Sequence, residues 1–378
     1  MSLPRLVSPL VLTMLLACSA GPSGGSAGGG TGSAGGGTAT GGGDGASGGG
    51  SGGSGGSAGG GSAGGGSSGG GAPGGGSAGG GQSAPDAGTW VTGLAPLPAP
   101  QQESAVAELG GLIYIVGGLS VGYALMDDVL AYDPAQNTWT RKHALPKPLH
   151  HCNLAAVGGK LYVVGALEKT SFSAVGDVYE YDPVQDQWAA KASLPTGTQR
   201  GASAVAVLGG KVYVAGGNRG GAAVTDVSVY DPVANSHTPL PALPVAREHV
   251  VGAALAGRLL VIGGRQGTTS SITARVDVFD PGTSSWSLGP SLPTARGGHA
   301  AASDGQRVVV FGGEGNAAAG SGVFPQTEVF DGSLWRAAPD MPSPKHGTGA
   351  AHLGGTFYVP GGATSQGLAP VVTFQAYR

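Results

Sequence analysis

"LIYIVGGLSVGYALMDDVLAYDPAQNTWTRKHALP", residues 112–146, holds the pattern that decides the fold. An apolar run ends in Gly117-Gly118, and a second run, beyond a loop, ends in Tyr132-Asp133. Trp139 follows seven residues later, and Leu145-Pro146 closes the stretch. Both runs have strand length, and Gly, Asp and Pro punctuate them, so they read as short strands joined by turns.

The same columns recur on either side. Trp residues at 90, 139, 188, 286 and 335 fall on a 49-residue lattice whose one gap is His237. Gly pairs stand at 117, 216, 263, 312 and 361, with Gly165-Ala166 in the second unit. Aromatic-Asp pairs stand at 132, 181, 230, 279 and 330, and a Leu-Pro or Met-Pro pair ends each unit. Within a unit, a first small-residue strand such as "SAVAEL" leads through Gly110-Gly111, suited to a positive-φ hairpin turn, into the second. Four strands per unit of this length is the signature of a propeller blade.

These motifs resemble the kelch repeat, which has a double Gly after its second strand, an aromatic about fifteen residues on and a Trp seven beyond it. The resemblance covers essentially all of 89–378. It departs at Ala166 for a Gly, at His237 for a Trp, where a loosened blade contact is expected, and at Asp331-Gly332 for Asp-Pro. It implies an all-β fold, a six-bladed β-propeller. Five full units follow residue 103, and a sixth stops after its third strand, while residues 89–98 are a Trp strand on their own. Trp90 is therefore expected to complete the last blade, closing the ring and removing the exposed sheet edge. Such a closed propeller is read as a monomer.

Strand alternation puts the loops between second and third strands on the same face as the blade-to-blade connections. These loops differ in every blade, as variable recognition loops on a rigid ring do. The connections carry His150 and His151, Arg200, Arg247 to His249, Arg296 with His299, and Lys345 with His346; Arg219 and Arg265 follow the double glycines. The ligand-binding candidates are therefore His151, Arg200, Arg219, Arg247, His249, Arg265, Arg296, His299 and Lys345. As a basic crown at the channel mouth they favour a carboxylate or phosphate ligand. The same residues also suit hydrogen bonding between blades, and Glu103, Glu248 and Glu314 oppose the crown's charge. No metal site and no cofactor are expected. The histidines come at the repeat's own period, and His150-His151-Cys152 is adjacent rather than spaced.

Residues 1–17 carry Arg5 and then an apolar run too short to span a bilayer, and read as a signal peptide. Leu15-Leu16-Ala17-Cys18 resembles the lipobox of bacterial lipoproteins. That resemblance implies cleavage before Cys18, lipidation of its thiol, and, with Ser19 next, an outer-membrane or cell-surface address. Residues 18–88 are Gly/Ser/Ala-rich and lack the apolar area that offsets chain entropy, so they read as a disordered tether. The formal charge of −3 gives nucleic acid no purchase. Membrane contact is expected only through the lipid.

Two functions fit. The first is an envelope-anchored binding module whose protein or glycan partner, anionic where the crown contacts it, meets the variable-loop face; it needs no catalytic residue. The second rests on likeness to the N-acetylneuraminate epimerases, exported six-bladed kelch enzymes. It implies a catalytic pair in which Arg247 holds a sugar carboxylate and Glu248 moves the proton.

Overall fold

Six four-stranded antiparallel sheets make up residues 87–378, the part of the chain described by the computed structural model. The leader, Cys18 and most of the tether lie outside the described residues. Blade 1 is Ala105–Leu109, Leu112–Leu119, Leu125–Asp133 and Thr138–Arg141, ordered as in the chain from innermost to outermost. Blades 2 to 5 repeat this order within 154–191, 204–239, 251–288 and 300–338.

Blade 6 takes three strands from 351–377 and its fourth, Trp90–Val91, from the other end of the propeller. Trp90 pairs with Tyr377 and Val91 with Ala376, as the lattice of tryptophans predicts. The chain is an all-β, six-bladed propeller closed by its N-terminal strand.

Each column of the repeat has a physical task. The hairpin glycines Gly110 and Gly111 take φ of 61° and 83°. Gly117, at φ 62°, is held for a different reason: a Cβ there would meet the Leu149 carbonyl oxygen at 2.3 Å. The Asp after each aromatic accepts from backbone N–H groups two and three residues on, as Asp133 Oδ1 does from Ala135 and Gln136, and so shapes the turn into the outer strand. Tyr132, Tyr181 and Phe279 are buried between blades, each with the Trp of its own blade about 5 Å away.

Every Trp of the lattice donates its indole N–H to a carbonyl of the preceding blade's outer segment, Trp139 to Ala95 and Trp188 to His143. His237 is not loosened. Its ring lies 4.8 Å from Tyr230, and its Nε2 donates to the Ala192 oxygen at 2.8 Å, the bond that indole makes elsewhere.

Trp90 makes this bond across the closure, to Pro339 at 2.9 Å, and packs on Phe311 and Tyr377. It is half-buried, so Trp90→Ala is expected to cost about 2 kcal/mol, less than a fully buried Trp, and to lower Tm by about 5 °C. Thermal unfolding measures this; an unchanged Tm would mean the ring does not depend on that strand.

Candidate functional site

Each inner strand is preceded by a short connection on the variable-loop face, and its successive positions point in different directions. At the first position stand Gln101, Leu149, Arg200, Arg247, Arg296 and Lys345. Five of their backbone carbonyls accept from the double glycine of the preceding blade, as Arg247 does from Gly217, while that of Arg200, which follows Gly165-Ala166, accepts from Asn153 Nδ2. The cationic side chains turn into their own blade. Arg247 donates to the carbonyls of Gly263 and Arg275 and pairs with Asp277 at 2.5 Å. Arg296 donates to Gly312 and Gln326 and pairs with Glu328; Arg200 reaches Val214 and Ser228. Lys345 Nζ donates to the carbonyl and hydroxyl of Thr373.

This corrects the expected crown. Arg200, Arg247 and Arg296 are 0 % exposed and Lys345 1 %, so none offers a charge at the mouth. Burial pulls the Arg247 guanidinium down to about 10 despite Asp277, and the Lys345 ammonium, without a carboxylate partner, to about 7. These cations latch strands together because buried carbonyls at the strand ends need donors.

The pairing of Arg247 with Glu248 also does not form. Arg247 enters the seam, while Glu248 turns to the axis and pairs with Arg265 at 2.6 Å. Arg219 is held by Asp226 and donates to the Gln199 carbonyl, away from the axis. His299 is buried in the channel wall. Burial, with Arg296 nearby, pushes it down to about 3, against the opposing effect of the Ile262 backbone.

The third position is the one nearest the axis: Glu103, His151, Ala202, His249, Gly298 and Gly347. All six have φ between 47° and 64°. This bend links five of the six neighbouring pairs, with N–H to O=C bonds from Glu103 to Gly347, His151 to Glu103, Ala202 to His151, Gly298 to His249 and Gly347 to Gly298. The result is a collar of backbone around the channel mouth. Three members have almost no side chain, which leaves room over the axis for the other three. A Cβ on Gly347 would come within 2.6 Å of Glu103 Oε1.

Glu103, His151 and His249 therefore converge, their ligand-type atoms within 4.8 Å of one another. His151 Nε2 lies 3.0 Å from Glu103 Oε2 and 3.0 Å from His249 Nε2. Glu248 contacts His249 Nδ1, and Arg265 bridges Glu248 and Glu314. His346 approaches Glu103 and Glu314 at 3.9 and 3.8 Å.

Burial alone would raise the Glu103 carboxyl, yet the imidazoles of His151, His249 and His346 hold it well below its usual range. Burial and Arg265 oppose a proton on His249, but Glu248 and Glu103 raise its pKa. Beneath the collar a chamber of about 170 Å³ is lined by Glu103, His151, His249, His299 and small residues of the inner strands. A second space of about 250 Å³ continues down the channel between alanines and valines.

Of the nine binding candidates, then, the fold brings His151, His249 and Arg265 together at the axis. Glu103 and Glu314 join them, although the sequence shows these two only as charges opposing a crown. The available clue is register, since Glu103 is the one acidic residue at the collar position.

Comparison with known proteins agrees with this architecture. The KLHDC2/KLHL20/DRC7 kelch-repeats domain matches residues 89–264, and the kelch motif matches 246–293. Beta-scruin of Limulus polyphemus is 40% identical over 68 residues, which are 16% of this chain and only 7% of that protein. The solved structure of YjhT has a TM-score of 0.64 over 74% of this chain and 95% of its own, at 17% identity, which shows a common fold.

Proposed function

We propose that this propeller of kelch repeats is a binding module whose protein or glycan partner is held on the variable-loop face. The observation that carries the reading is a variable sequence on a fixed frame: loops different in every blade stand on a collar that backbone hydrogen bonds link at five of its six junctions. On the blade 1 loop, Val121 and Tyr123 are 67% and 45% exposed, side by side and turned outward by φ of 71° at Gly122 and 62° at Tyr123. The large apolar residues exposed elsewhere stand singly, Val184, Val233 and Leu334 in turns of the opposite face and Leu288 at the end of an outer strand. A paired aromatic and aliphatic side chain is the kind of anchor that dominates interfaces. The axial chambers are below the ~300 Å³ of ordinary ligand pockets, which favours a partner met at the surface.

The crown no longer argues for an anionic partner, because Arg200, Arg247 and Arg296 are consumed inside the blades and Arg219 and Arg265 are paired with carboxylates. The reading keeps the propeller a monomer. It also keeps the envelope address, with Cys18 as the acylated residue; labelled palmitate should enter the chain and fail to enter Cys18→Ser.

The main test uses the full-length protein as bait for proximity crosslinking in its own cells. Partners recovered by the wild type and by Val184→Asp should bind Val121→Asp/Tyr123→Ser at least about tenfold more weakly. Equal recovery by all three proteins would remove the loop face from the reading. Turnover of an acidic sugar that vanishes in Glu248→Gln would replace it with the epimerase-like alternative, with Arg265 in the place assigned to Arg247.

A further inference from the structure

The hydrogen bonds around the axial cluster determine where its protons sit. His150 Nε2 donates to the Lys169 carbonyl oxygen at 3.0 Å, so the Nδ1 of the neutral ring is an acceptor. His151 Nδ1, 2.6 Å from it, supplies the proton, which leaves His151 Nε2 with a bare lone pair. His249 Nδ1 donates to the acceptor-only carboxylate of Glu248, which leaves His249 Nε2 bare as well. These two lone pairs face each other at 3.0 Å, and Glu103 Oε2 stands 3.0 Å from the first.

Arg265 does not fill the gap. Its Nη2 is 3.3 Å from one nitrogen of His249 and 3.2 Å from the other, and a donor equidistant from both cannot lie along either lone pair. With both rings neutral, three acceptors meet with no donor among them; the rival occupant of the gap is a proton, which Glu248 and Glu103 favour on His249 against its burial.

A second independent sign is His346, 2% exposed. Its Nε2 donates to the Ser365 carbonyl at 2.9 Å, and its Nδ1 is buried without a hydrogen-bond partner, facing Glu103 and Glu314. Charge points the same way. Glu103, Glu248 and Glu314 bring three negative charges against the single positive charge of Arg265, an excess that burial makes costly.

We propose that Glu103, His151 and His249 form a divalent transition-metal site on the propeller axis, with zinc the ion that best suits two imidazoles and a carboxylate. Donors around four-coordinate zinc at ~2.0–2.1 Å lie about 3.3 Å apart, close to the 3.0 Å from His151 Nε2 to Glu103 and to His249, with all three groups within 4.8 Å of one another. Glu248 behind His249 and His150 behind His151 are the outer partners that fix tautomer and ring orientation in metal sites. The fourth position is assigned to the chamber of about 170 Å³, where the hydroxyls of Ser104, Ser203 and Thr348, which donate to backbone carbonyls, can accept from a bound water or small ligand.

The test is metal uptake by the purified full-length protein, stripped with chelator and then titrated with zinc or with cobalt as a spectroscopic probe. We expect one equivalent per chain, cobalt d–d absorption typical of low coordination number, and a rise in Tm with bound zinc. Glu103→Gln, nearly the same shape, and His249→Gln should each weaken uptake more than about 100-fold, the upper range for losing only an outer partner. His143→Gln, exposed on the surface, should change nothing. Because uptake is first read on the wild type, a variant that fails to fold does not blunt the result. A wild type that takes up no metal, its acceptors bridged by a proton instead, would overturn the site. So would uptake that survives both Glu103→Gln and His249→Gln.

Discussion

Arg247→Met lowers the stability of the propeller by about 3–5 kcal/mol, with a fall in Tm of about 10 °C. The wild-type guanidinium is wholly buried, holds Asp277 at 2.5 Å and donates to two backbone carbonyls at 2.8 and 2.9 Å. The variant leaves a carboxylate at 0% exposure with only Arg275, and strips two buried carbonyls of their donor. Removing Asp277 as well, in Arg247→Met/Asp277→Leu, should recover much of the loss, because most of the cost is the stranded charge. Denaturant unfolding of the three proteins measures it. Unchanged stability in Arg247→Met would return the residue to the channel mouth and to ligand contact.

The second large effect is a pH dependence carried by Lys345. Its ammonium is 1% exposed with neutral oxygens for partners, and burial holds its pKa at about 7 against an ordinary 10.5. Between those values the unfolded chain binds a proton that the folded chain has released. Stability therefore rises with pH from about 7 toward 10.5, with a slope of at most ~1.4 kcal/mol per unit. Below pH 7 both states carry the proton, and the burial penalty is at its fullest.

Two groups of opposite sign set the upper end of the useful range. The Cys152 thiol is pushed up to about 12 by burial, and Tyr230 also to about 12, so their contributions fall as pH passes 9 and 10. The comparison is therefore of wild type and Lys345→Met between pH 7 and 8.5. The wild type should gain on the order of 2 kcal/mol relative to the variant across that interval. Parallel pH profiles would mean that the ammonium is not desolvated as the fold describes.

Arg247 and Glu248 show how much of the site could be read from the chain. Both were legible as residues of the correct face, because strand alternation alone assigns connections and loops to one side. The partner of each was not legible. The first position of the connection enters the blade and the third approaches the axis, so cations two residues from the collar serve architecture while Glu103, His151 and His249 meet. Spacing at the repeat's own period does not show this convergence, which depends on alanine and glycine at Ala202, Gly298 and Gly347.

His237 gives the complementary case. Its departure from the Trp lattice suggests a weak seam, yet an imidazole N–H reaches the same carbonyl that an indole N–H reaches. A sequence shows a residue's type, whereas the bond depends on where the ring's donor lies.

By itself the sequence determined the four-stranded unit, the six blades, the closure by Trp90 and the face that carries the variable loops. It did so because strand length, turn glycines and a fixed period are local properties, and stacking them admits one closed arrangement. Tertiary structure alone decided which charged residues seal the blades and which gather at the axis. That choice rests on left-handed backbone at Glu103, His151, Ala202 and His249, which no local preference of these residues announces and which accompanies the hydrogen bonds between neighbouring collar positions.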